Sequence, residues 1–134
     1  MRTLPLRISV TLPADPETVF SALTKASSIA RWSGQKGSVS SVPGGRFEMF
    51  DRWVSGKVLE IKPGKVLAYS WLPGDWPEGA PESIVRIALA RVKGGTRVTL
   101  VHTGFPNAEQ QKSHKSGWKE FVFKPLKEYL AQSH

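Results

Sequence analysis

The sequence predicts an α+β fold, one curved antiparallel sheet under a long C-terminal helix, with two short helices after the first strand. Three observations carry this. Alternating segments punctuated by Gly and Pro fill most of the stretch from Val39 to Gly104. The apolar period turns helical between Asp15 and Gly34, and again after Asn107. Strands and helices are therefore grouped along the chain rather than interleaved, which separates an α+β layer from a parallel α/β sheet. At 134 residues the chain is about one domain in size, expected over 1–134.

Each element has its own warrant. Leu4 to Leu12 places Leu6, Ile8, Val10 and Leu12 on one face of a half-buried strand. Asp15-Pro16 starts a helix, the carboxylate capping free N–H groups and the proline sitting where its missing N–H costs nothing. Val19, Phe20 and Leu23 form that helix's apolar face. A second helix fits Lys25 to Trp32, with Gly34 as its stop. The segments GGRFEMF, VSGKVLEI, KVLAYSW, SIVRIALARV and TRVTLVHTG then read as a meander. Gly94-Gly95 suits a type I′ hairpin, and Lys62-Pro63-Gly64-Lys65 a tight turn. Pro73 to Pro81, with three Pro and two Gly, is expected to leave the sheet as a longer loop.

The final segment, from Asn107, opens with a capping-box pattern, Asn107 and Gln110. Trp118, Phe121, Val122, Pro125, Leu126 and Tyr129 fall on one stripe at helical spacing. Gly117 and Pro125 cost roughly 1 and 3 kcal/mol in a helix interior. Their presence predicts a bent helix over a cavity, with Gly117 packed closely on the sheet or marking a second bend, and a break in the hydrogen-bond ladder between Pro125 and Phe121.

Composition excludes several function classes. Hydrophobic content of 40%, with five Trp and six Phe, argues for a packed core, and no apolar run approaches the roughly 18 residues of a membrane span. The first residues, MRTLPLRISVTLPAD, lack a signal peptide's apolar core, so a cytoplasmic location is expected. Without cysteine there is no disulfide framework, thiolate zinc site or Cys nucleophile. His102, His114 and His134 lack metal-ligand spacing, and no phosphate loop or nucleophile elbow is present, so neither cofactor nor metal is expected. The net charge of +8 is scattered through every segment, which fits a solvated basic surface rather than a nucleic-acid interface.

Alternation puts Val85, Ile87 and Leu89 inward, likewise Val98, Leu100 and His102, and Leu67, Tyr69 and Trp71. In GGRFEMF, Phe47 and Met49 compete with Phe50 for the inside and are favoured. Arg46 and Glu48 share a face of that strand, as an ion pair or as partners of a polar ligand group.

The segments Val19–Thr24, Ala30–Trp32, Gly44–Phe47, Gly56–Ile61, Thr96–Leu100 and His102–Phe105, with His114, Gly117-Trp118 and Leu126-Lys127, resemble the family named for the activator of the ninety-kilodalton heat-shock chaperone's ATPase. The likeness runs over nearly the whole chain. It implies a START-like helix-grip fold, a sheet wrapped around the C-terminal helix with a hydrophobic cavity between, and a stress-related setting. The eukaryotic co-chaperone carries an additional N-terminal docking domain, which this chain is expected to be without. Ser33, where the family often has a second Trp, and Pro125 depart from the pattern.

The leading expectation is a binding module that holds a small apolar or aromatic ligand. Its lining is expected from Trp32, Phe47, Met49, Tyr69, Trp71, His102, Trp118 and Phe121, with Arg46, Glu48 and His102 as candidate polar cavity groups. The resemblance implies a second class, activation of a chaperone ATPase through protein contact. A third is cyclase-like or hydrolytic chemistry, with His102 as base and Arg46 as oxyanion or carboxylate partner.

Overall fold

The computed structural model describes residues 4–132. In chain order the elements are β1 (Leu6–Leu12), α1 (Pro16–Thr24), α2 (Ala26–Ser33), β2 (Ser38–Val39), β3 (Arg46–Met49), β4 (Val54–Lys62), β5 (Val66–Pro73), β6 (Ser83–Val92) and β7 (Gly95–Thr103). The C-terminal helix follows as α3 (Ala108–Gly117), a π-helical segment (Trp118–Phe123) and α4 (Lys124–Ala131). The strands form one seven-stranded antiparallel sheet in the order β1-β7-β6-β5-β4-β3-β2. From β2 to β7 it is a meander; β1 then pairs with the last strand, from Leu6↔His102 to Leu12↔Thr96. This is the predicted helix-grip arrangement. The two-residue β2 was not anticipated, being too short to show alternation.

Local chemistry explains the boundaries. The Asp15 carboxylate accepts from the Thr18 N–H at 2.8 Å and starts α1, and Gly34 ends α2 at φ 75°. The hairpin between β6 and β7 turns on Lys93-Gly94, because Val92 pairs with Gly95; Lys93 is not left-handed, so this is not the type I′ turn expected on Gly94-Gly95, although both glycines take positive φ, 87° and 149°. A Cβ on Gly95 would lie 2.0 Å from the Leu12 carbonyl oxygen, so glycine is required there for space as well as for conformation. Asn107 caps α3 by accepting from the Gln110 N–H at 2.8 Å. The second half of the expected capping box is absent, because the Gln110 side-chain oxygen accepts from the Trp76 indole N–H at 3.1 Å instead. That bond draws the loop after β5 back against α3, where Trp76 is buried, rather than out into solvent.

The inward set is as the alternation indicates: Leu67, Tyr69, Trp71, Val85, Ile87, Val98, Leu100 and His102 are buried, and so are Phe47 and Met49. The helical stripe is corrected in one turn. Across Trp118–Phe123 the bonding pattern lengthens, the Lys124 N–H reaching the Lys119 carbonyl five residues back. This wider turn inserts a residue into the register, so Phe123 is buried beside Trp118, ring centroids 6.1 Å apart, and Phe121 is rotated outward to 66% exposure. Pro125 follows at once on the lengthened bonds of the π turn, in a helix that continues through Phe123 and Lys124, and the irregularity predicted near Phe121 is this π turn. Gly117 is the last residue before it. No sheet atom lies within 4 Å of a Cβ built there, so the expected close packing of Gly117 on the sheet is not found; it is the junction between α3 and the π segment.

Candidate functional site

The seam between sheet and helix is built from two crossed His–Trp pairs. On the sheet, Ser83 of β6 donates its hydroxyl hydrogen to the Trp71 carbonyl of β5 at 2.7 Å. With that hydrogen spent, the same oxygen accepts from Nε2–H of His102 on β7, 2.9 Å away. The other nitrogen, Nδ1, accepts from the Trp118 indole N–H at 3.1 Å. In the reverse sense, the Trp71 indole donates to Nε2 of His114 on α3 at 3.1 Å, and His114 Nδ1–H donates to the Gln110 carbonyl at 2.9 Å. Each strand side chain thus grips the helix through a partner of the opposite kind.

This geometry requires both imidazoles neutral, because an added proton would face an indole N–H. The electrostatics agree. Burial, and secondarily the nearby ionisable His114, which disfavours a second proton in the pair, pushes His102 down to about 3. Burial also lowers His114, against the opposing pull of the Gln110 carbonyl and the Asp75 carboxylate. Other rings pack around the seam among the aliphatic core side chains. Phe47 stacks on Tyr69 with centroids 3.8 Å apart, and Trp71 lies 4.9 Å from Trp118.

Beside this seam lies a cleft of about 1030 Å³. Trp71, His114 and Trp118 face it from the seam, Trp32 and Ser33 from the end of α2, and Phe121, Val122 and Pro125 from the later helix. The far wall is the loop joining β3 to β4, which carries Phe50 and Trp53. There three consecutive non-glycine residues, Phe50, Asp51 and Arg52, take φ of 55°, 54° and 70°. Left-handed backbone costs roughly 1–2 kcal/mol per such residue, so the loop must be held from outside. It is pinned by reciprocal bonds with Lys36, whose N–H donates to the Asp51 carboxylate at 2.7 Å and whose carbonyl accepts the Asp51 N–H at 2.9 Å. Gly74 N–H binds the Trp53 carbonyl at 2.7 Å. The loop sets the Trp53 ring near parallel to His114, centroids 6.1 Å apart, with the residue 40% exposed.

Of the residues predicted to line a cavity, the structure brings Trp32, Trp71, Trp118 and Phe121 to the cleft. It does not bring Phe47, Met49, Tyr69 or His102, which are closed inside the core because the space between sheet and helix centre is filled by their own side chains. Arg46 and Glu48 are also absent from the lining. They alternate with Phe47 and Met49, so they lie on the outer face, paired with each other at 3.3 Å. Arg46 and His102 therefore do not converge, and both ring nitrogens of His102 are committed, which removes the geometry of a base with an oxyanion partner. Sequence reasoning missed Trp53, His114 and Asp75. For His114 a signal existed, since it stands four residues before Trp118 and so on the same helix face. Asp51, a residue that tolerates left-handed backbone, hinted at the turn that presents Trp53.

Comparisons with known proteins agree with this architecture. A crystal structure of a protein from Mesorhizobium loti matches with a TM-score of 0.84 at 26% identity, covering 98% of this chain and 99% of that one. The structure of an HSP90 activator from Plasmodium falciparum matches with a TM-score of 0.85 at 25% identity, covering 96% and 97%. Among curated proteins, the mouse Activator of 90 kDa heat shock protein ATPase homolog 1 is 24% identical over 126 residues, which is 94% of this chain and 37% of the mouse protein. This chain thus spans little more than a third of that relative. Residues 13–131 match the family described as Activator of Hsp90 ATPase homolog 1-like protein, and the chain belongs to that family.

Proposed function

We propose that the domain binds a small apolar or aromatic molecule in the cleft beside the His–Trp seam. The observation that carries this is a cleft of about 1030 Å³ whose walls include six aromatic rings, from Trp32, Phe50, Trp53, Trp71, Trp118 and Phe121. Small-molecule sites run from about 300 to 1,000 Å³ and are mostly apolar with a few placed polar groups. Trp53 and Phe121 are large apolar side chains left in solvent, which a ligand would cover. Native mass spectrometry and tryptophan-fluorescence titration against a panel of flat hydrophobic molecules test the reading. A bound mass and saturable quenching are expected, weakened about tenfold or more by Trp53→Ala, a cost of about 1.4 kcal/mol. Neither signal across the whole panel overturns it.

A second reading, activation of a heat-shock chaperone ATPase, is favoured by the names of the mouse and Plasmodium proteins to which the chain is similar over nearly its full length. The scattered basic surface would meet an acidic partner. Stimulation of the chaperone's ATPase at low salt that fades at high salt supports this reading, because surface charge is screened. No stimulation at low salt removes it.

A further inference from the structure

We propose that the ligand this cleft selects carries a positive charge on or beside an aromatic or apolar body, as an ammonium or amidinium group does. The inference rests on the ligand-binding reading of the same cleft and adds its chemical class. Two features independent of cleft size support it.

The first is charge. The chain carries 19 Lys and Arg against 11 Asp and Glu, yet the charged residues lining the cleft are Asp75 and Glu120, both carboxylates, and no described Lys or Arg lines it. His114 does not supply a cation either, because its Nε2 lone pair is occupied by the Trp71 indole N–H. The remaining polar groups of the lining, among them Gln35, Ser113 and Ser116, are neutral. Asp75 reaches the floor of the cleft electrostatically, since its carboxylate opposes the downward shift of His114. A net charge of +8 does not reverse this local sign, because exposed charges beyond about 8 Å are largely screened at physiological ionic strength.

The second is ring geometry. Phe50 and Trp53 meet at 65° with centroids 6.2 Å apart, and Trp53 and Trp71 at 80° with centroids 6.4 Å apart. Steeply inclined neighbouring rings make a corner, and aromatic corners hold ammonium groups through the negative potential of the ring faces. The pinned left-handed loop is what fixes Trp53 in this corner.

The test is isothermal titration of the intact protein with three probes that share a naphthalene ring, 1-naphthylmethylammonium, 1-naphthylmethanol and 1-naphthoate. The ammonium is expected to bind about tenfold more tightly than the alcohol, the carboxylate most weakly, with the preference shrinking at high salt. In Asp75→Asn/Glu120→Gln the preference should vanish while the alcohol's affinity stays within about twofold. Both carboxylates are exposed, so the variant tests binding rather than folding. If alcohol or carboxylate binds the native protein as well as the ammonium does, the cationic class is wrong and the ligand-binding reading survives. If ammonium binding persists unchanged in Trp53→Ala or in the double variant, it occurs elsewhere or by other means and the inference falls. If no probe binds, the ligand-binding reading fails at this ring size and the inference fails with it.

Discussion

His102 and His114 stand 5.3 Å apart with rings nearly perpendicular, and each accepts a hydrogen bond from a tryptophan across the sheet–helix seam. Their surroundings are opposite. Ser83, Trp118, Trp71 and Phe105 enclose His102, which has no exposure, whereas His114 forms part of the floor of the cleft. The same bond thus serves as a closed staple on one side and as the base of an open site on the other. What differs is the cover: core rings over His102, and over His114 a left-handed loop pinned by bonds to Lys36 and Gly74.

Removing the staple should have the largest effect. Trp118→Ala empties a buried indole volume and leaves Nδ1 of His102 without its donor, a loss of about 5 kcal/mol. Urea denaturation should show a large drop in midpoint or no cooperative transition; a drop of under about 1 kcal/mol would mean the seam contributes little.

Acid should act on the staple next. The folded His102 titrates near 3, against an ordinary value of 6.5, so between those pH values the unfolded chain takes up a proton that the folded protein refuses. Its contribution is therefore fully present above about pH 6.5 and drains away as pH falls toward 3, by an amount on the order of 4 kcal/mol. His114 is shifted in the same direction and adds to the loss. Urea midpoints measured from pH 7.5 down to 4 should fall steadily, with the His102 ring still neutral at pH 5 by nitrogen NMR. A flat profile would break the distinction between staple and floor.

The smallest effect sharpens the other side of the comparison. Arg52 is exposed and left-handed at φ 70°, so Arg52→Gly relieves backbone strain at the cost of chain entropy, with a net gain of about 0.5 kcal/mol. A measurable loss of stability instead would show that the Arg52 side chain supports the loop.

Much of this was legible in the sequence. Alternation alone identified the inward faces of β5, β6 and β7, and Asp15, Gly34 and Asn107 marked helix ends, because caps and side-chain parity depend on near neighbours in the chain. The aromatic set Trp32, Trp71 and Trp118 was recognised for the same reason, and Phe121 too, although on the assumption of a regular helix. Tertiary structure decided the rest. The π turn exchanged Phe123 for Phe121 in the core, since helix pitch there answers to the fit over the sheet rather than to local propensity. The interior closed over His102, Phe47 and Tyr69 because their rings fill the space, a volume no periodicity reports. Trp53, Asp75 and His114 come from a loop, a second loop and a helix, and they share a cleft only once long-range pairing has brought those segments together. Sequence by itself determined which faces turn inward; packing between distant segments determined where the inside stops and the cleft begins.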